Sequence, residues 1–272
     1  MIRARKQFGQ HFLEPAWVDK VIRTIAPQAD QTFIEIGPGA GALTRPLAAR
    51  AHQVLAFEID RDLAAELRAA AIPNVEVVEG DFLEAGSGFR VLSSRSVPGS
   101  GSSLRVAGNL PYNVASPILF KLVRLYSLGA PLADATVMLQ REVADRLVAG
   151  PGSREYGVLS ILIGHAASAE MVLKLPAGAF RPPPKVLSAL VRLRFHAPEP
   201  PVRDASLFEG VVQAVFTRRR KTLANALLAF PPAVAATPAR VLAAAAIDGA
   251  RRPETLTIVE FARLADALAG AA

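Results

Sequence analysis

Short apolar runs rich in β-branched and aromatic residues alternate with longer stretches of helical periodicity through about residue 195. TFIEI (32–36) reads as a strand, and ALTRPLAAR (42–50) behind it as a helix. QVLAFEI (53–59) is a second strand, DRDLAAELRAAA (60–71) a second helix, and VEVVEG (75–80) a third strand. LRVAG (104–108) is the fourth, with a helix near 114–126, and TVMLQ (136–140) is the fifth, with REVADRLVAG (141–150) as a helix behind it. Segments 169–175 and 187–195 alternate as strands and add an antiparallel edge. Strand–helix alternation of this kind predicts an α/β fold with a mostly parallel, doubly wound sheet.

Two stretches break the pattern. In GSGFRVLSSRSVPGSGSS (86–103), 11 of 18 residues are Gly or Ser, which predicts a flexible loop. HAPEPPVRDASL (196–207) carries three prolines in a short polar stretch and reads as a linker. Beyond it β-patterning stops, and short helices are predicted at 204–217, 219–229, 238–246 and 257–269. The chain therefore divides into an α/β domain, 1–197, and a small all-helical domain, 198–272, with no internal repeat.

Composition narrows the chemistry. With 272 residues, 51% of them hydrophobic, the chain can bury a sizeable core. Apolar runs are all broken before 18 residues, so no membrane span is predicted. The basic start MIRARKQFGQHFLEP has no apolar stretch of signal-peptide length, so a cytoplasmic location is expected. The absence of cysteine removes disulfides, thiolate metal sites and cysteine nucleophiles. The four histidines, His11, His52, His165 and His196, are scattered without ligand-like spacing, so no metal is expected. A net charge of +7 and a pI near 10.2 favour a polyanionic partner. Arginine makes up 25 of the 31 cations, which suits phosphate but is equally what coding bias produces.

The first strand runs into Glu35-Ile36-Gly37-Pro38-Gly39-Ala40-Gly41. Glycines there let the backbone turn sharply and present N–H groups to a ligand at a helix N-terminus, at the carboxyl end of the sheet. Gly37, Gly39 and Ala42 also satisfy the dinucleotide fingerprint G-x-G-x-x-G/A. Against that reading stand an acid, Glu35, inside the strand, and glycines that alternate as G-x-G-x-G. The alternation resembles motif I of S-adenosylmethionine-dependent methyltransferases, whose zwitterionic methionine tail needs less of an anion cradle. Glu58 ends the second strand, where an acid can accept from ribose hydroxyls. Asp81 and Phe82, in Glu79-Gly80-Asp81-Phe82, follow the third and suit an adenine, the acid accepting from its amine and the ring offering a face or edge. Asp60 and Asp62 read instead as caps of the next helix. Three acids at three successive strand ends point to a nucleoside-like ligand.

Asn109-Leu110-Pro111-Tyr112 ends the fourth strand, across the same sheet edge. An exocyclic amine on a base is a weak nucleophile because its lone pair is delocalised into the ring. Acceptors that bond its two N–H groups in transition-state geometry make it a better one. The Asn109 side-chain oxygen and the Leu110 carbonyl can be that pair, with Pro111 stiffening the backbone and Tyr112 stacking on a flipped base. The motif resembles motif IV of amino-methyltransferases, and N-[L/I]-P-Y after G-x-G-x-G is similar to the rRNA adenine N6-dimethyltransferases. Two further stretches extend that likeness. KQFGQHFL (6–13) resembles the family's cofactor-capping motif, with His11 where asparagine is usual, and FRPPPKV (180–186) resembles its second base-contacting loop.

The resemblance spans nearly the whole chain and implies a Rossmann-like class I S-adenosylmethionine-dependent methyltransferase domain with an N-terminal capping arm, followed by a helical RNA-contacting domain. It implies cofactor contacts at His11, Leu13, Gly37, Gly39, Glu58, Ile59, Asp81, Phe82 and Asn109, and a second stacking ring at Phe180. It implies dimethylation at N6 of two adjacent adenosines near the 3′ end of small-subunit (16S) rRNA, by a monomer acting within an assembling 30S subunit. Arg218, Arg219, Arg220 and Lys221, at a predicted helix start, are the candidate RNA contacts. Because successive helical residues rotate by about 100°, two or three are expected to meet phosphate while one pairs with an acid. A large-subunit rRNA adenine methyltransferase of the antibiotic-resistance type shares these motifs, but REVADRLVAG and PPPKV fit the small-subunit branch better. The same residues leave open a non-catalytic RNA-binding assembly factor and a dinucleotide oxidoreductase.

Overall fold

The computed structural model describes residues 12–85, 104–230 and 237–270. The arm containing Arg3, Arg5, Lys6 and His11, and the Gly/Ser-rich stretch 86–103, lie outside the described residues. The chain divides into two compact units, 1–144 with 169–195, and 145–168 with 196–272.

In the first unit a short strand, β1 (Phe12–Leu13), leads into α1 (Pro15–Ile25), which Pro15 opens from the position where its missing N–H is not needed. Then come β2 (Thr32–Ile36), α2 (Thr44–Ala48), β3 (Gln53–Glu58), α3 (Arg61–Ala69) and β4 (Val75–Glu79). After them follow β5 (Leu104–Asn109), α4 (Ala115–Ser127), β6 (Leu132–Gln140) and α5 (Arg141–Leu147). The helix α6 (Val158–Gly164) precedes β7 (Ala167–Leu175), β8 (Phe180–Arg181) and β9 (Ser188–Phe195). Seven strands form one sheet in the order β4-β3-β2-β5-β6-β9-β7, while β1 pairs with β8. The β4, β3, β2, β5 and β6 pairings are parallel, and β9 joins β6 antiparallel. The α/β class, the parallel sheet and its antiparallel edge are therefore those expected.

Burial explains the strand composition. All five residues of β2 are buried, as is normal for a strand covered on both faces, so that even its polar positions, Thr32 and Glu35, lie inside. Phe33, Val54, Ala107, Met138 and Leu190 meet Val21 and Ile25 of α1 in one core. Asp60 caps α3, its carboxylate accepting from the amides of Asp62 and Leu63; Asp62 sits inside the first turn. At the amino-terminal end of the sheet, Arg105 makes a two-pronged pair with Asp134 at 2.8 Å and donates to the carbonyls of Ile25 and Ala26, closing the C-terminus of α1.

The second unit contains α6, α7 (Ala205–Thr217), α8 (Leu223–Leu227), α9 (Pro238–Ala245) and α10 (Ile258–Ala269). Tyr156 and Ile161 are buried in its core with Phe208, Val215, Leu223 and Phe261. Residues 145–168 thus group with the helical unit, whereas the sequence pattern places them in the first domain. No helix among the described residues is long and apolar enough to cross a membrane.

Candidate active site

The carboxyl ends of β2, β3, β4 and β5 open into one cavity. Its floor is the turn after β2. Gly37, Gly39 and Gly41 all have positive φ (70°, 56° and 81°), conformations that side-chain-bearing residues rarely adopt. A Cβ on Gly37 would lie in ordinary contact, 3.5 Å, with the Asn109 carbonyl oxygen, so the glycine loop and the β5 motif are neighbours there. Gly108 is needed for a different reason: a Cβ would lie 2.3 Å from the Ile36 carbonyl oxygen, and β5 could not approach β2.

Glu58 braces this floor. Its Oε2 accepts from the amide of Gly39 and its Oε1 from the amide of Asp60, each at 2.9 Å. Burial pushes the carboxyl above its ordinary range, and these two amides pull it back. An ionised carboxylate has about four lone-pair positions, and the Ile59 amide also bonds this one, so one position is left uncommitted. Glu35, 1% exposed beneath the loop, is a different case. Burial, with Glu58 adding repulsion, pushes its carboxyl up to about 8, and its Oε2 has no hydrogen-bond partner. At neutral pH this acid is largely protonated.

The walls carry the other expected residues. Leu13, Ile59, Asp81 and Phe82 line the cavity, as do Asn109, Leu110, Pro111 and Tyr112. Asp81 Oδ1 accepts from the amide of Leu83 at 2.8 Å, an Asx-type turn that fixes the carboxylate. Phe82 is buried edge-to-face on Phe57, centroids 5.3 Å apart. Glu79, by contrast, faces outward and pairs with Arg61 and Arg68. Leu110 is buried and its amide donates to the Met138 carbonyl at 3.2 Å, which fixes the backbone at this point of the wall. The Tyr112 hydroxyl lies 3.0 Å from the Ser188 hydroxyl at the start of β9. Burial raises the phenol, while that bond opposes the shift. Ser188, itself buried, is a functional candidate that local pattern does not reveal, because its partner lies 76 residues away.

The structure does not bring Phe180 into this cavity: it is 1% exposed, pairs in register with Leu13, and packs with Phe33 and Met138. A fully apolar ring gains more by joining that core than by standing at a solvent-facing mouth. The cation run is not a helix start. Arg218–Lys221 form the turn between α7 and α8. Within it Arg219 pairs with Glu254 at 3.9 Å and donates to the Ser153 carbonyl, while Arg218, Arg220 and Lys221 are exposed. His11 lies outside the described residues. Among the described residues no group of three or more acids or histidines is arranged to hold a metal.

One cavity thus joins a glycine turn, the acid Glu58, the acid and ring of Asp81 and Phe82, and, below the loop, the unpartnered Glu35 Oε2. The chain also resembles known proteins. A family model described as ribosomal RNA adenine dimethylase matches residues 1–264. A ribosomal RNA small subunit methyltransferase A from Pseudomonas fluorescens is 42% identical over 271 residues, covering 98% of this chain and 94% of that protein. Among solved structures, a dimethyladenosine transferase from Plasmodium falciparum superposes with a TM-score of 0.74 over 93% of this chain and 96% of that one, a likeness of fold at 24% identity. The 23S rRNA methyltransferase ErmE follows with a TM-score of 0.65 and 28% identity, covering 95% of this chain and 99% of its own.

Proposed function

The chain belongs to the ribosomal RNA adenine dimethylase family, and from that premise we propose that it methylates adenosines of small-subunit rRNA at N6, using S-adenosylmethionine. The substrate we assign is the pair of adjacent adenosines near the 3′ end of 16S rRNA, in an assembling 30S subunit, each dimethylated by a monomeric cytoplasmic enzyme. The observation that carries this reading is the shared cavity: Asn109–Tyr112 stand on its wall while the glycine loop, Glu58, Asp81 and Phe82 form the rest.

The cofactor supplies an electrophilic methyl group on a sulfonium. The glycine-loop amides and Glu58 hold the ribose and methionine portions, and the unpartnered Glu35 Oε2 sits where an ammonium donor would satisfy it. Asp81, with one oxygen committed to Leu83, keeps the other for the adenine amine. Asn109 and the Leu110 carbonyl accept from the two N–H groups of the target amine and favour its tetrahedral form. Tyr112, tethered through Ser188, holds the flipped base by stacking. No strong base is required, because the alkylated nitrogen releases its proton readily.

A protonated Glu35 does not by its charge exclude a pyrophosphate; family membership is what argues against a dinucleotide. Calorimetric titration with S-adenosylmethionine and NAD tests the point, and binding of NAD alone would overturn the proposal. The large-subunit reading draws on the ErmE likeness, but 28% identity there against 42% to a small-subunit relative supports the first reading.

A further inference from the structure

Lys121 sits on α4, three residues beyond Ile118, so both occupy one face of that helix. Ile118 and Val114 line the cavity. A helix face turned to an apolar wall would ordinarily carry another hydrophobic residue. Instead the Lys121 ammonium reaches the turn after β4 and donates to two backbone carbonyls, Leu83 at 2.7 Å and Ala85 at 2.8 Å. It also lies 5.3 Å from the centroid of the Phe82 ring.

We infer that Lys121 is a positioning residue for adenine recognition, fastening the turn that carries Asp81 and Phe82 to the helix that follows the Asn109–Tyr112 motif. The inference rests on the reading of Asp81 as the acceptor of the cofactor's adenine amine. Leu83 shows how it works. The N–H of the peptide before its Cα is held by Asp81 Oδ1 and the carbonyl of the peptide after it by Lys121, so the backbone is pinned on both sides of that Cα. Removing the ammonium frees the second of these peptides, the turn loosens, and the Asp81 carboxylate loses part of the constraint on its orientation. A lysine suits the task because its ammonium offers three donors and no acceptor, matching two carbonyls side by side. Burial lowers the ammonium's pKa and the Asp81 charge raises it.

The test is base discrimination. Calorimetric affinities for S-adenosylhomocysteine and its inosine counterpart, which lacks the exocyclic amine, are compared in the wild type and in Lys121→Met. The wild type is expected to prefer the adenine compound. In Lys121→Met that affinity falls about tenfold, the scale of losing a charge-assisted hydrogen bond, while affinity for the inosine compound barely changes. KM for S-adenosylmethionine rises by the same factor with kcat within about twofold, and Lys121→Arg recovers part of the preference. An equal loss for both compounds, or no loss for either, overturns the inference and leaves the Asp81 reading intact. A wild type that does not discriminate overturns the Asp81 reading, and this inference with it. Should circular dichroism show that Lys121→Met does not fold, Lys121→Gln, which keeps a shorter donor, decides by the same comparison.

Discussion

The backbone amide of Gly39 donates to Glu58 Oε2 at 2.9 Å. The acid that ends β3 therefore holds the glycine loop in shape, in addition to the ribose contact proposed for it. In Glu58→Gln one oxygen is replaced by an NH₂ group that must face an amide donor. Leaving a buried donor unsatisfied costs about 1–3 kcal/mol, so the affinity for S-adenosylmethionine should fall by about tenfold or more. Calorimetry checks this, and an unchanged affinity would show that the brace is unnecessary.

Ser188 and Tyr112 give a second prediction. A neutral hydrogen bond contributes about 0.5–1.5 kcal/mol net. Ser188→Ala should therefore slow methyl transfer by roughly two- to tenfold by letting the Tyr112 ring wander, with KM for S-adenosylmethionine unaffected. Steady-state kinetics with varied cofactor and saturating RNA separate the two parameters.

Glu35 makes stability pH-dependent in the direction opposite to an ordinary paired carboxylate. Its folded-state pKa, about 8, lies above the ordinary 4.5, so folding favours the proton. The contribution is fully present below pH 4.5 and is lost as pH rises through about 8. Ionising a fully buried acid of this kind costs roughly 3–5 kcal/mol, at about 1.4 kcal/mol for each unit of pKa. Without cofactor, Tm should fall from about pH 4.5 to about pH 8 and level off above it, and Glu35→Gln should flatten that slope and melt several degrees higher than wild type at pH 9. Thermal melts across the range test it; parallel curves would mean that Glu35 does not titrate there.

For RNA the structure redirects attention within the cation run. Arg219 is engaged with Glu254 and the Ser153 carbonyl, so its removal should destabilise the helical unit. Arg218, Arg220 and Lys221 are exposed, but Arg218 donates to the Asn225 carbonyl, so Arg220→Glu with Lys221→Glu should weaken rRNA binding. Each lost phosphate contact should reduce the slope of log affinity against log salt by about 0.7–0.9. Filter binding from low to moderate salt reads both quantities, and an unchanged slope would mark the turn as merely solvated.

The parallel strands and their order of chemistry were legible because each strand is a short apolar run that ends in a chemically distinctive residue. Gly37, Glu58, Asp81 and Asn109 could be placed at one sheet edge from alternation alone. Residues acting across the fold were not legible in this way. Phe180 has the same local appearance whether it stacks on a base or fills a core, and its burial beside Leu13 is visible only in the fold. The Asp81 turn and Lys121 are 40 residues apart in sequence and meet only because β4 and α4 border one cavity. Tyr156 and Ile161 lie inside the stretch patterned as α/β, yet pack into the helical core, since apolar periodicity says which face is buried but not against what.

The central claim is that Asn109–Tyr112 orient an adenine amine of small-subunit rRNA for methyl transfer. It is tested most directly by incubating the protein and radiolabelled S-adenosylmethionine with under-methylated small and large ribosomal subunits, then mapping the labelled bases, with Asn109→Ala alongside. The account predicts N6,N6-dimethyladenosine at two adjacent positions near the 3′ end of 16S rRNA. It also predicts at least a hundredfold loss of transfer in Asn109→Ala, with cofactor affinity unchanged. Label in the large-subunit rRNA, or full turnover by Asn109→Ala, would contradict it.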